Sequence, residues 1–130
     1  MVTKGSAGKG STTRSGDAAE SCALAHLVAR GLTLVQRNYR VAEGPGARGG
    51  EIDLILREPD GTLVFVEVRA RRRSRFGGAA ASVSLAKQRR LVFAATHYLR
   101  GLRTWPPCRF DVVALDGAHL EWLRAAFDAF

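Results

Sequence analysis

Apolar and polar positions change period along this chain, and the changes mark out its elements. Residues 1–15 hold Gly, Ser, Thr and Lys with almost no apolar content, the composition of a disordered tail, so the folded part is expected over residues 16–130. From Asp17 to Arg30 the apolar residues recur at helical spacing, and Gly31 stops the run. Thr33 to Val41 reads as a strand, Glu43 to Gly50 as a glycine-rich loop, and residues 50–70 as two alternating strands. Arg71 to Ala81 is a basic, glycine-containing loop. A second helix is expected from Ser84, a suitable N-cap, to Arg100, ended by Gly101. Trp105-Pro106-Pro107 breaks the chain. Arg109–Leu115 and Ala118–Leu123 then form a hairpin around Asp116-Gly117, and the last residues a short helix. The order α-β-β-β-α-β-β predicts one α/β domain with a mixed sheet.

The hairpin of residues 50–70 carries the most informative chemistry. Its strands read Glu51-Ile52-Asp53-Leu54-Ile55-Leu56 and Leu63-Val64-Phe65-Val66-Glu67-Val68-Arg69, joined through Glu58-Pro59-Asp60-Gly61. Pro59 and Asp60 suit the centre of a type I turn and Gly61 the left-handed residue after it. That loop sets Ile55 opposite Phe65, Asp53 opposite Glu67 and Glu51 opposite Arg69. Two carboxylates facing each other across strands repel, so a cation is expected between them: a divalent metal, or an arginine or lysine. Asp53 and Glu67 are therefore candidate metal ligands, and Glu51 is expected to pair with Arg69.

Both helices carry a charge on an apolar side. Glu20 shares a narrow sector with Leu24 and Leu27; the competing explanation is an acid in a first helical turn, after Asp17. Lys87 lies on the side of Leu91, Ala94 and Tyr98, where its stem could equally cover apolar surface. Lysine is rare in this chain: the others are Lys4 and Lys9, in the tail. A core-side lysine in an arginine-rich chain suggests a need for a compact ammonium.

The net charge of +8 is unevenly spread. Val68 to Phe110 contains no Asp or Glu but carries Arg69, Arg71, Arg72, Arg73, Arg75, Lys87, Arg89, Arg90, Arg100, Arg103 and Arg109. Outside that block the acids outnumber the bases. Such asymmetry points to a polyanion, most simply nucleic acid, with Arg71, Arg72, Arg73, Arg75, Arg89 and Arg90 as candidate contacts to its backbone. No stretch is long enough to span a membrane and the N-terminus has no apolar signal region, so no membrane partner and a cytoplasmic location are expected. Cys22 and Cys108 lack metal or redox spacing and read as buried free thiols. Weaker signals are set aside. The G-x-G-x-x-G match at Gly44–Gly49 precedes a strand where a dinucleotide loop needs a helix. His26, His97 and His119 lack ligand spacing, and Trp105 and Trp122 read as core or rim. Tyr39 and Phe76 could stack on bases but read first as packing, and Asp111, inside an apolar strand, is expected to make a structural hydrogen bond or salt bridge.

Several of these motifs together resemble the YraN-like family of small bacterial proteins: Gly50-Glu51-Ile52-Asp53-Leu54-Ile55, Val64-Phe65-Val66-Glu67-Val68-Arg69, Gly77-Gly78-Ala79-Ala80, Lys87-Gln88-Arg89-Arg90 and Arg109-Phe110-Asp111-Val112-Val113. The resemblance covers residues 17 to 125. That family resembles a branch of the PD-(D/E)XK nuclease superfamily close to Holliday-junction resolvases. It implies a restriction-endonuclease-like α-β-β-β-α-β core, a mixed central sheet flanked by helices, with the acidic site on the central hairpin. It implies Asp53 and Glu67 as metal ligands for Mg2+ or Mn2+, Glu20 as the helical glutamate and Lys87 as a second-helix lysine of the site. DNA rather than RNA is the implied substrate, branched or structured DNA included, and a homodimer the implied assembly. The Val68 backbone carbonyl is a candidate third metal ligand. Where the superfamily motif has lysine this chain has Arg69, which cannot deprotonate to act as a base but can hold a phosphate. The expected function is metal-dependent hydrolysis of DNA phosphodiesters, with Glu20, Asp53, Glu67, Arg69 and Lys87 as the catalytic set. The alternative is a catalytically inactive nucleic-acid-binding module of the same fold, its acids neutralised by Arg69 and Lys87 without metal.

Overall fold

The computed structural model describes residues 11–42, 49–70 and 83–129, with side chains from residue 16 onward. Helix α1 (Ser11–Ala29) is followed by strands β1 (Thr33–Val41), β2 (Gly50–Arg57) and β3 (Leu63–Ala70), helix α2 (Leu85–Arg100), and strands β4 (Cys108–Asp116) and β5 (His119–Phe127). The strands form one sheet in the order β1-β2-β3-β4-β5. Only β3 and β4 run parallel, joined through α2, and the other neighbours are antiparallel. This is the expected α/β fold, compatible with a restriction-endonuclease-like core.

Each helix closes one face of the sheet. Ala19, Ala23 and Leu27, spaced by four, are buried on α1 against Leu54, Leu56, Val64, Val66, Val113 and Leu115. Leu91, Ala94, Ala95 and Leu99 of α2 are buried against Ile52, Ile55, Leu63, Phe65, Phe110 and Val112. The α1 helix ends as its glycine predicts. Gly31 has φ +101°, its N–H donates to the Val28 carbonyl, and the Leu32 N–H donates to the Leu27 carbonyl, the paired bonds of a Schellman cap. The Ser84 hydroxyl accepts from the Lys87 N–H and starts α2. In the central hairpin Gly61 has φ +97°, and Arg57↔Leu63, Leu56↔Val64 and Ile55↔Phe65 pair in the register the turn demands.

Three boundaries differ from the sequence expectation. The α1 helix starts at Ser11, so the expected tail of residues 1–15 is overrun from that point; residues 1–10 lie outside the described residues. The apolar stripe begins only at Ala19, and turns added ahead of it merely extend an existing helical ladder, leaving no pattern to read. The second terminal turn is Gly117-Ala118, since Asp116 pairs with His119. The expected C-terminal helix is instead strand: β5 runs on to Phe127, which pairs with Phe110. A bulge makes this possible. Ala125 has φ +50°, its N–H donates to Asp111 Oδ1 at 2.9 Å, and Trp122 Nε1 donates to Asp111 Oδ2 at 2.9 Å. Arg109 completes the buried network, 3.0 Å from Asp111 and 2.7 Å from Glu58, so Asp111 plays the structural part expected of it.

Candidate active site

Asp53 stands where β2 and β3 part. Their ladder continues as far as Leu54↔Val66, and Asp53 and Glu67 are the next residues on the two strands. There the Asp53 carboxylate takes up a backbone donor itself, with the Val68 N–H donating to Oδ2 at 2.8 Å.

The alternation of the sheet inverts at the same point. Leu54 and Leu56 pack towards α1, whereas Ile52 and Ile55 pack towards α2. On β1 the flanking pairs Arg37↔Leu54 and Tyr39↔Ile52 bracket Asn38 against Asp53. Asn38 has φ +52°, a left-handed conformation that asparagine tolerates better than most residues. Arg37 accordingly reaches Glu20 on α1, while Tyr39 packs against the α2 core. A matched irregularity on two strands thus turns Asp53 out of the regular pleat.

Glu67 is buried, its side chain 4% exposed, with Oε2 3.4 Å from Arg69 Nη1 and 3.6 Å from Lys87 Nζ. The helical lysine therefore does meet the hairpin. Glu20, on the opposite helix, lies 3.7 Å from Arg37. Since α1 begins at Ser11, Glu20 is well inside the helix, which removes the first-turn explanation for its position. Oε1 of Glu20 and Oε1 of Glu67 are both buried without a hydrogen bond; the first still faces Arg37 at 3.7 Å, whereas the cations beside Glu67 reach its other oxygen, an arrangement that costs free energy if nothing else binds there.

The electrostatics follow from this crowding. Burial and then the Asp53 charge raise Glu67 from 4.5 to about 7, against the pull of Lys87 and Arg69. Burial and then Asp53 raise Glu20 from 4.5 to about 7, with Arg37 opposing. Asp53 is also raised, chiefly by burial, with the Val68 N–H holding it down in part and Glu51 pushing it up. Three neighbouring carboxyls are thus held towards their neutral forms, leaving a place for further positive charge.

Among the described residues no group of three or more His, Cys, Asp or Glu is drawn together as a metal cage. Magnesium does not require one, since it commonly uses one or two carboxylates and keeps several waters. The donors here are hard oxygens, and the unpartnered Glu67 Oε1 is suited to such an ion, so the residues present fit the expected Mg2+ or Mn2+.

The family model described as Uncharacterised protein family UPF0102 matches residues 19–115. The chain belongs to this family. That span contains Glu20, Asp53, Glu67, Arg69 and Lys87. A UPF0102 protein of Methylibium petroleiphilum is 65% identical over 88% of this chain and 93% of its own length. A relative from an Acidovorax species is 62% identical over 96% of this chain and 92% of its own. Another from Albidiferax ferrireducens is 61% identical over 92% and 91%. UPF0102 membership agrees with the YraN-like resemblance of the motifs.

Other expected residues of this UPF0102 chain fall in different places. Arg71, Arg72, Arg73, Arg75 and Phe76 lie outside the described residues. Arg90 faces the acidic site's side of α2, lining a pocket with Lys87 and Glu51. Arg89 lies on another side, along a groove with Val92 and Phe93. Glu51 does not pair with Arg69. It sits opposite Arg40, 3.6 Å away, because Arg69 is drawn to Glu67. Cys22 is exposed rather than buried, and Cys108 is half-buried. Tyr39 is a packing residue, edge-on to Tyr98 and hydrogen-bonded to His97 at 2.7 Å. No helix among the described residues is long and apolar enough to cross a membrane. Sequence reasoning missed Arg37, Asn38 and Arg40. The register of β1 against β2 is what brings them to the acids, and an edge strand of mixed polarity gives no such signal.

Proposed function

We propose that this protein is a metal-dependent nuclease that hydrolyses DNA phosphodiesters. The observation that carries the reading is the meeting of Asp53, Glu67 and Lys87, with a buried Glu67 oxygen left unpartnered. Asp53 and Glu67 would hold Mg2+ or Mn2+, with the Val68 carbonyl as a further oxygen. Such an ion, when bound, supplies positive charge to the phosphate and an acidified water as nucleophile. Lys87 and Arg69 would contact the scissile phosphate. Arg69 keeps its proton and so serves as a charge and hydrogen-bond donor. Glu20, held near neutrality by its burial, can accept or return a proton close to pH 7.

The test is cleavage of branched and linear DNA by purified protein with Mg2+ or Mn2+, beside Asp53→Ala and Glu67→Ala prepared identically. Activity is expected in the wild type alone, and equal cleavage by both variants would overturn the mechanism. A second reading rests on the two cations 3.4 and 3.6 Å from Glu67: a binding module whose acid is neutralised by Arg69 and Lys87 without metal. Thermal stabilisation by Mn2+ that disappears in Asp53→Ala favours the nuclease; unchanged stability with Mn2+ favours the module.

A further inference from the structure

A pocket of about 580 Å³ opens beside the acids, between the ends of β1 and β2 and the first turns of α2. Gly50 makes it possible. A Cβ there would run into the Arg90 carbonyl oxygen and press on Ala94, so only glycine lets β2 lie this close under the helix. Arg40, Lys87 and Arg90 line the pocket, with Glu51 as its acid. Glu51 is already engaged by Arg40 at 3.6 Å, which leaves the lining with excess positive charge. Lys87 belongs to both places, since its Nζ lies 3.6 Å from Glu67. A group bound in the pocket would therefore sit next to whatever is bound at the acids.

The lining also limits what that group can be. Among the described residues it contains no aromatic ring on which a base could stack and no Asn or Gln to read an adenine edge. Its cations come from two elements, Arg40 from β1 and Lys87 and Arg90 from successive turns of α2, and converge on one space. Such a cationic site suits a compact anion, a phosphate above all.

We infer that this pocket seats the sugar-phosphate backbone of a nucleic acid at a phosphate flanking the one presented to Asp53 and Glu67, with Arg40 and Arg90 as its contacts. The inference rests on the nuclease reading for the position of the neighbouring phosphate. It adds that strand recognition at this point is independent of base identity, and it gives Arg40, an exposed edge-strand residue, a binding role.

The experiment measures binding of labelled single-stranded and duplex oligonucleotides of two unrelated sequences, in EDTA so that cutting cannot occur, across a series of salt concentrations. Wild type is compared with Arg40→Gln/Arg90→Gln and with Arg103→Gln, an exposed arginine elsewhere. Each lost phosphate contact should flatten the dependence of log K on log salt by about 0.9 for duplex or 0.7 for a single strand. The double variant should lose up to twice that, equally for both sequences, while Arg103→Gln follows the wild type. Mn2+-induced thermal stabilisation, read on the same proteins without DNA, should persist in the double variant. An unchanged salt slope in a double variant that still responds to Mn2+ overturns the pocket assignment alone. A reduced slope in the double variant, when neither it nor the wild type responds to Mn2+, supports the pocket and overturns the metal reading. Loss of binding to only one of the two sequences overturns base independence.

Discussion

Replacing Glu67 by glutamine should make the metal-free protein more stable at alkaline pH while removing its response to metal. The carboxyl is almost fully buried and lies at about 7 in the folded state, against 4.5 ordinarily. The folded protein therefore holds this proton more tightly than the unfolded chain. Its stabilising contribution is complete below 4.5 and is lost as pH rises through 7. At about 1.4 kcal/mol per pH unit, the ionised side chain costs the fold about 3 kcal/mol once the solution is well above 7. Glutamine keeps the shape of the protonated acid and cannot ionise. It also removes a negative neighbour from Asp53, which titrates together with Glu67. Urea unfolding in EDTA near pH 4 should give nearly equal stabilities for wild type and Glu67→Gln. Near pH 8 the variant should be the more stable by about 3 kcal/mol, or roughly 10 °C in Tm for a domain of this size. Mn2+ at a thousand times its Kd should reverse the order, because it returns about 4.1 kcal/mol to the wild type. A variant destabilised equally at both pH values, with its Mn2+ response intact, would refute the reasoning. Glu67 would then be an ion-pair partner of Lys87 and Arg69 and nothing more.

Other perturbations probe the frame around the site. Asn38→Val forces a β-branched residue into φ +52° and should cost about 1–2 kcal/mol, weakening Mn2+ binding as Asp53 shifts; Asn38→Gly should retain both stability and metal response, as denaturation and metal titration would show. Gly50→Ala should destabilise by about 1–3 kcal/mol, since its Cβ meets the Arg90 backbone, and calorimetry would measure the loss. Asp111→Ala takes one of Arg109's two carboxylate partners and strands the Trp122 indole and the Ala125 N–H. It should cost about 3–5 kcal/mol, with amide exchange rising first around Ala125.

How much of this was legible beforehand depends on the range of the interaction. The turn at Pro59-Asp60-Gly61 is local, so the register could be read from a few neighbouring residues; the ladder follows it as far as Leu54↔Val66, and Asp53 and Glu67 come next, just where the strands part. Apolar periodicity likewise placed Glu20 and Lys87 on the buried sides of their helices. The pairing of Glu51 was misread because Arg69 had two acids within reach, and nothing local says which it will choose. The β5 extension was misread because its bulge is held by Asp111, many residues earlier in the chain.

The sequence alone therefore determined the elements, their order, the register of the central hairpin and which charges were out of place in an apolar pattern. These follow from backbone geometry and hydrophobic period, which act over a few residues. Tertiary structure decided where those charges meet. It paired Glu20 with Arg37, brought Lys87 to Glu67, left a buried Glu67 oxygen without a hydrogen bond, and turned Asp53 out of the pleat opposite Asn38. It also opened a basic pocket where Gly50 lets β2 slide under α2. Each depends on the packing of elements distant in the chain, and burial against those elements is what lifts the carboxyls towards neutrality.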